Sequence, residues 1–428
     1  MVPLSTRSAP FIINIGVGIS SDTREGSGAP AAASTMKLRS EFLVFGRPTI
    51  EQDEIDEVVD SLQCGWLGTG PKVRRFEQDF ASYKGVASAT AVNSCTAALH
   101  LSLLAADIGP GDEVITSALT FCATVNAIIH AGATPILADV DPVTFNIDPR
   151  EVEKKITRKT RALLPVHFAG NPCDLGALSA LATRHGLILI EDCAHAIEAE
   201  YQTRKVGTVG DFGCFSFYAT KNVCTGEGGM VLARKESHLD RIKSLALHGL
   251  SRDAWHRYSD AGFRHYEVHE CGFKYNMMDL QAALGLHQLA KVERRWTRRR
   301  DIALRYAEAF SDLPITLPPE ALPGNRHAHH LYPLRIARGS AGFTRDEFIE
   351  AMTGLRVGVG VHYRSIPTHR YYQTAFQWRP EDYPHAFQIG EETVSLPLSA
   401  TLAEEDVEYV IEAVHQVLGS RTTAAQFR

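Results

Sequence analysis

Lys221 has a sequence context in which a lysine can act as a nucleophile. It follows the apolar run from Gly213 to Ala219 and precedes the glycine-rich stretch from Gly226 to Gly229. A lysine that is partly desolvated near the end of a strand has a lowered pKa, so it can attack a carbonyl group, form a Schiff base and carry a proton. An ordinary solvated lysine fits the same stretch, so other groups must decide between the two interpretations.

Two further polar features stand at the ends of elements. Asp192 closes the apolar run from Leu187 to Asp192, and reactive groups of open α/β sheets gather beyond the carboxyl ends of the strands. Asn93, Ser94 and Thr96 precede an apolar helical run, where free amides and hydroxyls bind a phosphate. Each feature alone also fits a helix cap. Together, the lysine, the carboxylate and the anion site are what pyridoxal 5'-phosphate (PLP) requires for its aldehyde, pyridinium nitrogen and phosphate.

Short apolar runs alternate with helical patterns from about Thr49 onward, and these elements must position the three features. Strands are predicted at Glu113 to Ser117, Thr134 to Val140, Arg161 to His167, Leu187 to Asp192, Gly213 to Ala219 and Gly228 to Ala233. This alternation predicts an α/β fold with a mainly parallel sheet covered by helices.

A second, smaller α+β domain is predicted after this sheet. The basic stretch from Lys291 to Phe310 is expected to form a solvated helix that leads into it, followed by a strand at residues 330–336, a helix at 344–352, another strand and a final helix. We therefore divide the chain into a disordered leader at residues 1–35, a large cofactor-binding domain at 36–295 and a small C-terminal domain at 296–428. The apolar stretch from Phe11 to Ile19 in the leader lacks the cations and cleavage site of a signal peptide.

Bulk composition excludes several classes of function. The formal net charge of −6 gives no electrostatic reason for a nucleic acid or an anionic membrane as partner. No apolar run is long enough to cross a bilayer. The 8 cysteines form no CxxC pair and lie mostly in apolar stretches, which is typical of reduced thiols in a cytoplasmic protein.

From Glu41 to the C-terminal helix, the chain resembles the DegT/DnrJ/StrS family of sugar aminotransferases. The resemblance rests on seven ordered blocks: Gly68 to Phe80, Ala118 to Ile128, Glu191 to Ile197, Ser216 to Asn222, Gly272 to Gly285, Val359 to His369 and Val394 to Leu402. It implies an α/β large domain of the aspartate-aminotransferase type (fold type I), with a mainly parallel seven-stranded sheet, and a smaller α+β domain.

The same resemblance assigns roles to individual residues. It makes Lys221 the Schiff-base lysine and Asp192 the partner of the ring nitrogen, and it makes Phe121 the aromatic that stacks on the cofactor. It also implies phosphate contacts from Thr96, Ala97 and Ser216, and one from Asn276 of the second subunit in a homodimer. His195, where the family often has Gln, is expected near the phenolic oxygen of PLP. His362 is expected to face the sugar nucleotide, and no metal is implied.

The implied reaction moves an amino group from L-glutamate, which leaves as 2-oxoglutarate, to a UDP- or dTDP-linked keto sugar by a ping-pong sequence. C4 is favoured over C3, because the similarity is greatest to enzymes that aminate UDP-linked 4-keto pentoses or hexoses. Phe121 stands where that subgroup has a tryptophan. The product would serve a cell-surface polysaccharide, lipid A or a glycosylated metabolite.

Four other hypotheses remain open at this stage. Some relatives are dehydratases, but they have a histidine in place of the Schiff-base lysine. A regulatory or binding relative that binds DNA would use the basic run from Lys291 to Arg305. A nicotinamide enzyme would need a fingerprint that Gly16 to Ser21 imitates only in part. His327 to His330 could ligate a metal, although neighbours on a strand point to opposite faces and a structural use is simpler.

Overall fold

A seven-stranded sheet lies at the centre of the protein in its computed structural model. The strands up to residue 233 are β1 (Thr90–Val92), β2 (Glu113–Ser117), β3 (Thr134–Ala138), β4 (Thr160–Leu164), β5 (Ile188–Asp192), the two-residue strands β6 (Glu200–Tyr201) and β7 (Arg204–Lys205), β8 (Phe212–Ser216) and β9 (Gly229–Ala233). In space the sheet runs β1-β9-β8-β5-β4-β2-β3, and β6 and β7 form a separate ribbon. The structure describes residues 36–250 and 265–425, so the predicted leader and the stretches from Phe11 to Ile19 and Gly16 to Ser21 lie outside the described residues.

The sheet is mainly parallel, as predicted. β8, β5, β4, β2 and β3 run parallel, whereas β9 is antiparallel to both of its neighbours, β8 and β1. All six predicted apolar runs form strands of this sheet. The one missed strand, β1, has 3 residues, which is too short for an apolar pattern to identify.

Helices cover both faces of the sheet. The first eight are α1 (Gln52–Cys64), α2 (Pro71–Lys84), α3 (Cys95–Ala105), α4 (Cys122–His130), α5 (Pro149–Lys155), α6 (Leu175–His185), α7 (Glu236–Ala246) and α8 (Asp279–Ala290). In α3, 9 of 11 residues are buried, because it packs between the sheet and the neighbouring helices α4 and α7. The amphipathic helix α2 covers the face of the sheet opposite to α3, where it buries Phe76 and Phe80 against Phe215 and Phe217.

The C-terminal part contains a small antiparallel pair of strands and further helices. Its elements are α9 (Val292–Ala309), β10 (Tyr332–Arg335), α10 (Arg338–Ala341), α11 (Arg345–Gly354), α12 (Arg370–Phe376), α13 (Pro384–Glu392), β11 (Thr393–Leu396) and α14 (Glu404–Ala425). β10 pairs with β11, as an α+β unit requires. The described residues from Leu38 onward form one compact unit. The predicted division between residues 295 and 296 falls inside α9 and stays a prediction.

The basic helix α9 is less solvated than expected. Arg295 and Arg299 are buried. Arg295 forms ion pairs with Glu51 and Glu54, and Arg299 forms one with Glu198. The other five cations from Lys291 to Arg305 also pair with carboxylates. α9 is therefore a structural helix rather than a free basic surface. Within the described parts of the chain, no helix is both long and apolar enough to cross a membrane.

Candidate active site

A cavity of about 510 Å³ lies beyond the carboxyl ends of β5 and β8, next to the first turns of α3 and α4. We call it the lysine cavity. Its walls include the predicted site residues Lys221, Asp192, His195, Thr96, Phe121, Ser216 and His362. These side chains come from five separate segments of the chain, which the fold brings to the edge of the sheet where its parallel strands end.

Lys221 lies in the tight turn that follows β8. Its backbone N–H donates to the Tyr218 carbonyl at 2.8 Å, which holds the turn beside the cavity. Burial lowers the pKa of Lys221 to about 8, although the nearby Cys95 and Asp192 act in the opposite direction. A much larger fraction of this lysine is therefore neutral near pH 7 than for a solvated lysine, and the neutral amine is the nucleophilic form.

Asp192 ends β5 on the face that packs against α3. Its Oδ2 accepts from the Thr124 hydroxyl at 2.9 Å, and its Oδ1 accepts from the Ala194 amide at 3.1 Å. The side chain is buried, and burial raises the pKa of Asp192 despite these hydrogen bonds. A buried carboxylate with room for a further donor stabilises a cationic N–H placed against it.

The preceding residue, Glu191, points to the other face of the sheet, because side chains alternate along a strand. Its carboxylate accepts from the amides of Gly207, Val209 and Gly210 at 2.6–2.9 Å and contacts His167 Nε2 at 3.2 Å. Although its burial acts in the opposite direction, these partners lower the pKa of Glu191. Glu191 thus fixes the loop before β8 rather than lining the cavity.

His195 is held by Tyr363, a residue that the sequence did not single out. The Tyr363 hydroxyl and His195 Nε2 are 2.9 Å apart, and their rings are stacked with centroids separated by 5.9 Å. Burial, helped by the charge of Lys221, lowers the pKa of His195 well below its usual value. His195 Nδ1 is buried without a hydrogen-bond partner among the described residues, so a ligand polar atom would satisfy it.

The start of α3 forms the expected anion pocket only in part. Thr96 and, at the end of β8, Ser216 line the cavity. Ala97 does not line it, and its amide donates to the capping Ser94 Oγ at 3.1 Å. At Gly229, a Cβ atom would come within 2.5 Å of the Ser94 backbone, so this glycine lets β9 lie directly against the helix start.

Phe121 and His362 stand at the mouth of the cavity. Phe121 precedes α4 and remains 56% exposed, with its ring centroid 5.7 Å from that of Tyr363. His362 Nδ1 lies 3.0 Å from Ser395 Oγ, and its ring stacks on Phe45. Burial and the charge of Lys221 lower the pKa of His362 to about 4. The cavity thus offers an exposed aromatic face and a neutral imidazole.

Asn276, like Ala97, is a predicted site residue that does not line the lysine cavity. Its Nδ2 donates to Thr69 Oγ1 at 2.6 Å, and it lines a separate cavity of about 720 Å³ together with Trp66 and Arg74. Within a single chain, Asn276 therefore does not meet Lys221.

A model of the DegT/DnrJ/EryC1/StrS aminotransferase family matches residues 48–415. The chain belongs to the DegT/DnrJ/EryC1/StrS aminotransferase family. It is 49% identical over 384 residues to the spore coat polysaccharide biosynthesis protein SpsC of Bacillus subtilis, a match that covers 90% of this chain and 99% of SpsC.

Solved structures of aminotransferases share the fold. Spr1654 of Streptococcus pneumoniae in its PLP form is 32% identical with a TM-score of 0.82, and the match covers 89% of this chain and 99% of Spr1654. Helicobacter pylori PseC, an aminotransferase involved in the biosynthesis of pseudoaminic acid, is 28% identical with a TM-score of 0.82, and the match covers 89% of this chain and 100% of PseC. This DegT-family protein is a PLP-dependent sugar aminotransferase of fold type I.

The lysine cavity of this DegT-family enzyme fits PLP. It combines a buried lysine with a lowered pKa, a buried carboxylate, the exposed face of Phe121 and the unsatisfied Nδ1 of His195. Sequence reasoning missed Thr124 and Tyr363, although both stand in the quoted family blocks. A hydroxyl three residues after Phe121 was the available signal for Thr124, whereas Tyr363 had none beyond its place beside His362.

The histidine run splits in the DegT-family fold. His330 lines the lysine cavity, whereas the rings of His327 and His329 lie 4.7 Å apart beside Trp296. One group of side chains could in principle hold a metal ion: the ligand atoms of His167, Glu191 and Cys193 lie within 4.8 Å of one another. The Glu191 oxygens, however, already accept hydrogen bonds from three backbone amides.

Proposed function

We propose that this enzyme transfers the amino group of L-glutamate to C4 of a nucleotide-linked keto sugar. The main support is a second cavity of about 1050 Å³, which we call the adjoining cavity. It shares Thr120, Phe121 and Tyr363 with the lysine cavity. Arg364 lines it, is exposed and has no carboxylate partner among the described residues. A sugar in the lysine cavity would leave this space and this cation for the diphosphate and base of a nucleotide.

The cofactor-binding roles follow from the contacts of each residue. Asp192, held by Thr124, would keep a proton on the pyridine nitrogen of PLP, and Phe121 would cover one face of the ring. Thr96, Ser216 and the start of α3 would hold the phosphate, and the unsatisfied His195 Nδ1 supports a contact with the phenolic oxygen. PLP, when bound, supplies the electron sink that makes Cα of the amino donor acidic.

Lys221 would serve twice. As a neutral amine it would hold the aldehyde group of the cofactor, and it would also take the proton from Cα of the amino donor. The lowered pKa of Lys221 supports both roles, because the neutral form at moderate pH is required for each. His362, neutral at the cavity mouth, would contact the sugar nucleotide.

A homodimer with shared sites is part of the proposal. Ile55, Val59 and Leu62 form an exposed apolar stripe on α1, and Trp66 and Leu67 extend it toward the cavity that contains Asn276. A second copy packed on this stripe would bury it and bring Asn276 to the partner's phosphate pocket. Ala97 would then be a backbone neighbour of that pocket rather than its lining.

The setting of the reaction is supported by the relatives. SpsC is named for spore coat polysaccharide biosynthesis, and PseC is described as involved in the biosynthesis of pseudoaminic acid. These names support an amino sugar for a surface polysaccharide as the product. The 8 free cysteines support a cytoplasmic location, where thiols stay reduced.

Absorption spectroscopy tests the proposal. The purified protein should develop the visible band of lysine-bound PLP, and L-glutamate should bleach it. Lys221→Ala should show no such band. Keto-sugar nucleotides differing in base and keto carbon should then restore the band, fastest for a 4-keto sugar. A band that no amino donor alters would reject the aminotransferase reaction in this chain, and a band restored faster by 3-keto sugars would reject the C4 assignment.

A further inference from the structure

A buried chain of hydrogen bonds runs from α9 to the lysine cavity through Arg299, Glu198, Asn222 and His330. Arg299 pairs with Glu198 and also donates from Nε to the His329 carbonyl at 3.1 Å. Glu198 is fully buried and Arg299 is 3% exposed. Buried polar chains are costly unless each member is satisfied, so the orientation of every member is constrained.

The first constraint acts on the amide of Asn222, the residue after Lys221. Its Nδ2 donates to Glu198 Oε2 at 2.8 Å and to the Ala328 carbonyl at 3.3 Å. An ion-paired carboxylate and a carbonyl only accept, so the nitrogen of the amide must face them. The amide oxygen therefore faces the other way.

The second constraint acts on His330. Its Nδ1 lies 2.9 Å from Asn222 Oδ1. Because that oxygen can only accept, Nδ1 must carry the hydrogen. Burial lowers the pKa of His330 well below its usual value, and Lys221, His362 and Arg299 act in the same direction. The ring is therefore neutral, and Nε2 is left with a lone pair.

His330 Nε2 belongs to the lysine cavity. The ring lines that cavity, with its centroid 4.5 Å from that of His195. Among the described residues, Nε2 has no hydrogen-bond partner. The cavity thus contains a nitrogen that can accept a hydrogen bond and cannot donate one.

We propose that Arg299, Glu198 and Asn222 hold His330 as the Nδ1–H tautomer, so that its Nε2 binds a hydroxyl group of the sugar substrate. This rests on the proposed function. A hydroxyl is a donor and suits the lone pair, whereas the keto oxygen of the sugar and the carboxylates of glutamate are acceptors and do not. His330 is thereby a sugar-binding residue for one half-reaction, and Glu198 and Asn222 are positioning residues.

The tautomer can be observed directly. Long-range ¹H–¹⁵N spectra of histidine-labelled holoenzyme distinguish protonated from unprotonated ring nitrogens, and His330→Phe assigns the signals. We expect a protonated Nδ1 and a bare Nε2. Asn222→Leu removes the acceptor, and also the amide donor to Glu198, but keeps both members of the Arg299–Glu198 ion pair, so it should give a mixture of tautomers. A protonated Nε2 in the wild type, or an unchanged tautomer in Asn222→Leu, would overturn the positioning role.

The two half-reactions test the hydroxyl contact. With a UDP-linked 4-keto hexose as probe, His330→Phe should raise the half-saturating sugar concentration about tenfold, the effect of losing one hydrogen bond. The effect on the glutamate half-reaction should be at least several-fold smaller. His185→Phe, at the exposed end of α6, is the matched control. Equal effects on both half-reactions would refute the sugar contact. If glutamate does not bleach the visible band of the wild-type enzyme, the proposed function is rejected instead. The ¹H–¹⁵N spectra would still show which tautomer His330 adopts.

Discussion

The Thr124 hydroxyl donates to Asp192 Oδ2 at 2.9 Å and so joins the first turn of α4 to the end of β5. Burial raises the pKa of Asp192, and this bond opposes that rise while it orients the buried carboxylate. The residue that would hold the ring nitrogen is thus itself held by a helix from another part of the chain. Such supporting hydrogen bonds set the geometry of the groups that touch a cofactor.

Thr124→Val removes that hydroxyl and keeps the shape of the side chain. We expect the dissociation constant of PLP, measured by titration of the visible band, to rise about tenfold to a hundredfold, because one hydrogen bond to a charged group is lost. Thr124→Ser retains the hydroxyl and serves as the control. Equal losses in both variants would show that the methyl group, and not the hydrogen bond, matters.

The pH dependence of PLP capture should report the state of Lys221. Since the neutral amine attacks and burial sets the pKa of Lys221 at about 8, the capture rate should rise with pH below that value and level off above it. Stopped-flow absorbance of the apoenzyme at fixed PLP measures this rate. A blocked lysine in solution, with the ordinary pKa of 10.5, should continue to gain rate over the same range. An enzyme profile still climbing at pH 10 would contradict the lowered pKa.

Glu191→Gln should destabilise the fold. The carboxylate is fully buried and accepts from three amides and His167, and loss of its charge would cost about 3 kcal/mol of the free energy of unfolding at pH 7. Urea unfolding measures the cost. Glu153→Gln, at an exposed pair with Arg184, should change it by less than about 1 kcal/mol.

The same comparison has a defined pH dependence. Partners lower the pKa of Glu191 below its ordinary value of 4.5, so its contribution to stability is present above pH 4.5 and is lost as the pH falls through the folded-state pKa. The difference between the wild type and Glu191→Gln should therefore narrow in acid. A constant difference from pH 7 to pH 3 would show that the charge of Glu191 is not the stabilising element.

Subunit complementation tests the shared site. Asn276→Ala and Lys221→Ala should each give poorly active homodimers, because each site would lack one of the two residues. In mixed dimers, one site combines the intact Lys221 of one chain with the intact Asn276 of the other. An equal co-expressed mixture should therefore recover about a quarter of wild-type activity. No recovery, with mixed dimers demonstrated by two affinity tags, would place both residues in the same chain's site or show Asn276 to be structural.

Much of the site could be predicted because its key residues stand at the ends of strands. Asp192 and Lys221 follow apolar runs that became β5 and β8, and a strand and its end are local properties of the sequence. The polar start of a helix indicated Thr96, and family blocks indicated Phe121, Ser216, His195 and His362; all five line the lysine cavity. β1 was missed because 3 residues carry no periodic signal.

The amino-acid sequence by itself determined the α/β class, the membership in an aminotransferase family, and which lysine and which carboxylate line the same cavity. Only the tertiary structure decided that Tyr363 holds His195, that Ser94 occupies the amide of Ala97, and that Asn222 orients His330. The reason is physical. Apolar runs and turns are set by neighbours in the chain, whereas the partner of a buried donor or acceptor depends on which distant segments packing brings within about 3 Å.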